Sequence, residues 1–208
     1  MRAFLLADKL CAMYSPAHYI EKDMQKILTL IGENPFATLI AESGLISHLP
    51  LLVVGEEVLG HMAKANPQWQ EFARAGRAKA VFHGPHAYIS PAWYKPKPDN
   101  VPTWSYAVVH VEGAFEVLSG AAAEKVMDVL IASFEENYGE GWRLPENRSA
   151  VERLMNAITV FKLTELKFDA KFKLNQKQDA EERKRVMEGL RGSGLEPAVK
   201  LAQLIAEV

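Results

Sequence analysis

Apolar positions along this chain switch repeatedly between a helical and an alternating rhythm. Met24, Ile27, Leu28 and Ile31 follow the i, i+3, i+4, i+7 rule, which predicts a helix from Glu21 to Ile31 stopped by Gly32. Pro35 forces an extended entry into a strand from Phe36 to Glu42. Gly44 turns the chain, Leu45 to Val54 returns, and Gly55-Glu56-Glu57 leads into Val58 to Met62, so a three-stranded meander is expected. Asn66-Pro67 reads as a cap and first-position proline for a short helix from Gln68 to Ala75, ended by Gly76. Extended structure resumes at Lys79 to His83 and again at Trp104 to Leu118, where Ala107 to Val111 is almost continuously apolar, as in a strand covered on both faces.

The second half is more helical. Val126, Val129, Leu130 and Phe134 mark one face of a helix from Ala121 to Tyr138, and Val151, Leu154, Met155 and Ile158 mark another. Thr159 to Leu174 is extended. Asp179 with Glu182 forms a capping pair for a helix carrying Val186 and Leu190, and Glu196-Pro197 opens a last amphipathic helix. These elements predict a mainly β, antiparallel fold with peripheral helices, an α+β barrel. We expect one domain over residues 13–190, an N-terminal extension over 1–12 with Met1 and Met13 both candidate starts, and a C-terminal helix over 191–208 packed on the same domain.

Composition narrows the function classes. The 208 residues are 49% hydrophobic and 24% charged, with a net charge of −2, so no basic field draws nucleic acid or anionic lipid. The single cysteine, Cys11, excludes an internal disulfide and a thiolate zinc cluster. No apolar run reaches membrane-spanning length, and Asp8-Lys9 interrupts the short run at the start, so a cytoplasmic protein is expected. Walker, G-x-G-x-x-G and G-x-S-x-G motifs are absent, and no catalytic residue can be named.

Candidate chemistry concentrates in His83-Gly84-Pro85-His86-Ala87-Tyr88-Ile89-Ser90-Pro91-Ala92-Trp93-Tyr94, followed by Val101-Pro102-Thr103-Trp104-Ser105-Tyr106. Pro85 and Pro91 predict a short strand held between two bends, with rings suited to a flat, partly polar ligand. His83 and His86 lie in a turn without a second ligand pair, so no metal is expected. Ser47-His48-Leu49-Pro50 puts His48 and Pro50 on one strand face. The stretch from Gly60 to Trp69 runs a strand through small residues into a helix start, where free N–H groups, Lys64, Asn66 and Gln68 suit an anion. Lys171 to Gln178 has the Lys-apolar alternation of a guarded edge strand.

These blocks in this order resemble the PaiB family of bacterial FMN-binding proteins, from Met13 to about Leu190. The most specific pieces are Glu33-Asn34-Pro35-Phe36, Ser47-His48-Leu49-Pro50, Gly60 to Trp69, His83 to Tyr94 and Asn100 to Tyr106. Lys173-Leu174-Asn175-Gln176 is similar to the family's Lys-x-Ser-Gln-Asn motif, with Asn175 where Ser is usual and Lys177 where Asn is usual. The resemblance implies a dimeric FMN-binding split β-barrel of the pyridoxamine-phosphate oxidase-like class, with FMN at the subunit interface and a negative transcriptional regulator's role by family label. Direct DNA binding rests on that label alone. The alternative is an FMN-dependent oxidoreductase or flavin reductase. The residues expected to hold FMN are His48, Leu49, Pro50, His61, Met62, Ala63, Lys64, Asn66, Gln68, Tyr88, Trp93, Trp104, Tyr106, Lys173 and Gln176.

Overall fold

A computed structural model describes residues 13–96, 100–144 and 148–208. The expected extension over 1–12, with Cys11, and residues 97–99 of the polar loop lie outside the described residues. The described residues form eight strands and six α-helices. The strands are β1 (Ile20–Glu21), β2 (Phe36–Ile40), β3 (Ile46–Pro50), β4 (Leu52–Val54), β5 (Glu57–Ala63), β6 (Arg77–Ile89), β7 (Thr103–Leu118) and β8 (Ile158–Lys173). The helices are α1 (Met24–Glu33), α2 (Gln68–Ala75), α3 (Gly120–Tyr138), α4 (Arg148–Asn156), α5 (Ala180–Gly192) and α6 (Glu196–Ala206). The described residues divide into two compact units, the first drawn from 13–30, 83–96, 100–109 and 169–208 and the second from 31–82, 110–144 and 148–168.

In the second unit the hydrogen-bonded strand order is β3-β2-β6-β7-β8-β5-β4. The β2–β3 hairpin pairs Phe36 with Pro50, Thr38 with His48 and Ile40 with Ile46. Because side chains alternate along a strand, Phe36, Thr38 and Ile40 share the exposed face while Ala37 and Leu39 are fully buried. β5 pairs with β8 from Val58–Leu163 to Ala63–Ile158. Gly60 on β5 is needed for this packing, since a β-carbon there would sit 2.4 Å from Leu51 Cδ2 and 2.8 Å from the Phe161 ring. Phe115 stacks on Phe161 with centroids 5.0 Å apart and tilts against Phe72 at 5.4 Å. A further cluster joins Leu59 and Val160 to Ala123, Met127 and Leu130 of α3.

The first unit holds the C-terminal ends of β6 and β8, the start of β7, and helices α5 and α6, which pack on each other. β1 pairs with β8 through Ile20–Lys171 and Glu21–Ala170. Phe172, Leu174, Val186, Leu190, Leu201 and Ile205 form its apolar interior. Asp179 accepts a hydrogen bond from the Glu182 amide at 2.8 Å, the expected cap of α5.

Several boundaries differ from the pattern-based expectation. The meander is absent: β2–β3 and β4–β5 are separate hairpins, and the expected Leu45–Val54 strand is interrupted at Leu51, whose amide bonds the Pro35 carbonyl and whose side chain is fully buried. The α1 helix continues through Gly32 to Glu33, and Gly32 is not among the left-handed glycines. Ile158 belongs to β8 rather than to the preceding helix. Pro85 bends nothing and lies inside the continuous 13-residue strand β6. Pro91 opens a short 3₁₀ turn, Pro91–Trp93, capped by Ser90. Lys171 guards no edge, since its segment of β8 is paired with β1 and the residue is 8% exposed.

Candidate flavin site

Two groups of candidate residues form, one in each unit. In the second unit, the hairpin and the approach to α2 are tied together by amides. Asn66 Nδ2 donates to Ser47 Oγ at 2.8 Å, and Asn66 Oδ1 accepts from the Gln68 amide at 3.0 Å. Gln68 is fully buried, and its Nε2 donates to the Leu39 and Leu45 carbonyls at 3.1 and 2.7 Å. The amides expected to meet an anion at this helix start are therefore committed to the protein itself. Lys64 remains exposed, with its amide bonded to the Ala157 carbonyl and its own carbonyl accepting from Trp69 Nε1 at 3.0 Å.

His48 is exposed on the hairpin, shares a 3.0 Å hydrogen bond with Thr38 Oγ1 and stacks against Phe36 at 6.2 Å. Leu49 and Pro50 follow it on β3, half-buried and paired with Ala37 and Phe36. On β5, Met62 is 1% exposed, so its side chain belongs to the core. Ala63 is exposed beside it. His61 is half-buried, and its Nδ1 is enclosed without a hydrogen-bond partner. Burial holds its pKa below the ordinary histidine value.

In the first unit, Tyr88 and Trp104 meet edge to face with centroids 6.4 Å apart, and each is about half exposed, at 48% and 50%. Trp104 also faces His86 at 5.9 Å and donates from Nε1 to His86 Nδ1 at 3.3 Å. Trp93 does not join them. It packs on α5, where a β-carbon at Gly189 would fall 2.3 Å from its ring. Tyr106 lies against the Lys171 ammonium, with 5.4 Å from nitrogen to ring centroid.

Lys173 Nζ donates to Thr103 Oγ1 at 2.5 Å and to the Trp104 carbonyl at 2.7 Å, which fixes the backbone under the exposed indole. Gln176 is spent locally, accepting from the Leu174 amide at 2.9 Å and donating to the Phe172 carbonyl. Asn175 adopts a left-handed conformation at φ 62°, which Asn tolerates better than most residues. From there its side chain accepts from Ser105 Oγ at 2.8 Å and donates to the Tyr94 hydroxyl at 2.7 Å. Burial raises the Tyr94 pKa against the opposing pull of that Asn175 bond, with the charges of Glu182 and Tyr19 adding to the rise. This Ser105–Asn175–Tyr94 bridge joins residues far apart in sequence, and only the unusual Asn at position 175 hinted at it. Among the described residues no group of three or more His, Cys, Asp or Glu is placed to hold a metal, and no helix is long and apolar enough to cross a membrane.

Residues 13–164 match the family model described as "Putative FMN-binding domain". The chain belongs to this FMN-binding family. The "Protease synthase and sporulation protein PAI 2" of Bacillus subtilis is 28% identical over 203 residues, covering 94% of this chain and 97% of the relative. Among solved structures, the flavocytochrome Anf3 of Azotobacter vinelandii superposes with a TM-score of 0.60 at 13% identity, covering 79% of this chain and 74% of that one. The FAD and heme binding protein of Mycobacterium smegmatis gives a TM-score of 0.58 at 16% identity, covering 82% and 80%. These similarities place the fold of this FMN-binding family member among the flavin-binding split barrels. FMN is the family's cofactor, and the two half-exposed rings of Tyr88 and Trp104 suit a flat, partly polar ligand.

Proposed function

We propose that the chain binds FMN as a homodimer and serves a regulatory role of the kind named for its Bacillus subtilis relative in protease synthesis and sporulation. The observation that carries the flavin reading is the Tyr88–Trp104 pair. Two large rings, each about half exposed, stand together on strands where they alternate with buried core residues such as Ile89 and Ala107. In that role Trp104 would stack on or edge the flavin ring, with its backbone held by Lys173. Of the candidate polar residues in the second unit, His48 and Lys64 are the exposed ones, with His48 Nδ1 shared with Thr38. The apolar hairpin face of Phe36, Ile40 and Ile46, exposed at 64%, 44% and 57%, suits burial against a second copy of the chain.

Visible absorbance of the purified protein tests the proposal first, with the released flavin identified as FMN rather than FAD. Trp104→Ala should then weaken FMN binding by about 10-fold, the worth of an aromatic contact with a flat ligand. A colourless protein that FMN does not quench or bind would end the flavin reading. Light scattering on Ile46→Asp should show loss of the dimer.

A second reading, an FMN-dependent oxidoreductase or flavin reductase, is favoured by the fold shared with a flavocytochrome and by the absence of a basic field for DNA at net charge −2. When bound, FMN would supply the electron-transfer chemistry, and the protein would position it. Turnover of a nicotinamide cofactor selects this reading. Salt-sensitive binding to an operator fragment selects direct regulation.

A further inference from the structure

β8 carries Lys171 and Lys173 two residues apart, and hence on one face of the strand. The Lys171 ammonium is covered: the residue is 8% exposed, and Nζ lies 5.5 Å and 5.4 Å from the ring centroids of Tyr14 and Tyr106. One of its three N–H groups goes to the Tyr14 carbonyl at 2.9 Å. The rings attract the charge but offer no strong acceptor for the others. Lys173 Nζ has a hydroxyl and a carbonyl as partners, Thr103 Oγ1 and the Trp104 carbonyl.

Neither ammonium has a carboxylate within ion-pair distance among the described residues. The acid two residues before Lys171, Asp169, accepts instead from the Met13 amide at 2.8 Å. Burial, together with the charge of Lys171, holds the Lys173 pKa below its ordinary value, against an opposing contribution from Tyr106. Close by in sequence, the Ser15 hydroxyl is buried without a partner.

Covering the Lys171 ammonium without a counter-charge, beside the half-buried like charge of Lys173, is unfavourable, and a lysine that only protected a strand would stand in water. Tyr14 shields Lys171 yet is itself 84% exposed, so its ring can move aside without opening a packed interior. Both lysines also lie beyond residue 164, where the match to the FMN-binding family model ends.

We propose that Lys171 and Lys173 form an oxyanion seat for a phosphate monoester, in which the dianion takes the N–H groups that the protein leaves without acceptors. The phosphate belongs either to FMN or to a second phosphorylated ligand, and the proposal rests on the flavin reading only in the first case.

Calorimetric titration of the flavin-stripped full-length chain with orthophosphate tests it. Wild type should bind, Lys171→Met and Lys173→Met should each bind about 10- to 100-fold more weakly, and Lys171→Arg should retain most of the affinity. The same titration on FMN-saturated protein separates the two sources. If FMN abolishes orthophosphate binding, the seat holds the flavin's phosphate, and Lys171→Met must then raise the Kd for FMN while leaving that for riboflavin unchanged. If orthophosphate still binds, the seat serves a second ligand. Circular dichroism checks folding, and the less buried Lys173→Met decides should Lys171→Met fail to fold. Equal orthophosphate affinity in wild type and Lys173→Met, or no binding by wild type, overturns the proposal. The wild-type affinity for FMN reports separately on the flavin reading.

Discussion

Replacing Gly189 with alanine isolates the packing role of Trp93. The added β-carbon would stand 2.3, 2.5 and 2.7 Å from Cδ2, Cε2 and Cγ of the indole, where carbon atoms normally rest about 3.5–4.0 Å apart. The helix cannot retreat, because Val186 and Leu190 on α5 are fully buried. The ring is also restrained, since Ser90 caps its 3₁₀ turn through the Ala92 amide at 3.2 Å. Overpacking of this size costs about 1–3 kcal/mol. Alanine in place of glycine inside a helix returns about 1 kcal/mol.

Gly189→Ala alone should therefore lower stability by up to about 2 kcal/mol. In a Trp93→Ala background the clash is gone, and the same change should raise stability by about 1 kcal/mol. Urea unfolding of the four proteins of this cycle, followed by circular dichroism, reads the sign change directly. If Gly189→Ala stabilised both backgrounds equally, the assignment of Trp93 to the α5 surface would be wrong. The same proteins address the flavin: Trp93→Ala should leave FMN affinity within about threefold of wild type, whereas Trp104→Ala should not.

Further outcomes follow from groups held in unusual surroundings. Gln68→Leu removes the donor to the Leu39 carbonyl, while the Leu45 carbonyl keeps the Ala41 amide, so we expect a loss of about 1–3 kcal/mol in urea unfolding. A change below the error of the measurement would contradict this. The depressed pKa of His61 means the unfolded chain takes up its proton first as pH falls below 6.5, so stability drops toward acid. His61→Leu should flatten that acid limb between about pH 7 and pH 5, and identical slopes in both proteins would exclude the group. Tyr94 is raised by burial, so the folded state keeps its proton longer and stability falls once pH exceeds the ordinary tyrosine value of 10.0. Tyr94→Phe should remove that alkaline decline, as followed by thermal melts at rising pH.

The order of most elements and several helix ends are legible because they are written in local patterns. The Asp179 cap and the Gly76 stop, with φ at 69°, are short-range signals, and the structure places both within a residue of expectation. What local pattern could not show is where a polar side chain spends its hydrogen bonds. Gln68 looked like a ligand donor because its acceptors, Leu39 and Leu45, lie more than 20 residues earlier in the chain. Trp93 resembles its aromatic neighbours in local sequence, and only the approach of Gly189, much later in the chain, separates it from them. Lys171 alternates with apolar residues as edge lysines do, and only the pairing with β1 and the rings of Tyr14 and Tyr106 reveal that it is enclosed. A proline inside a long strand is uncommon and so predicts a bend, yet β6 continues through Pro85.

The amide clamp around Gln68 bears on how tightly any ligand can be held in the second unit. Asn66 joins Ser47, and Gln68 joins both ends of the hairpin turn, so His48 and the segment leading into α2 are fastened to each other before a ligand arrives. Contacts made to these two segments together would not require ordering of separate loops. Their share of binding free energy would be diminished little by lost conformational entropy, and a modest number of polar contacts could then sustain slow release.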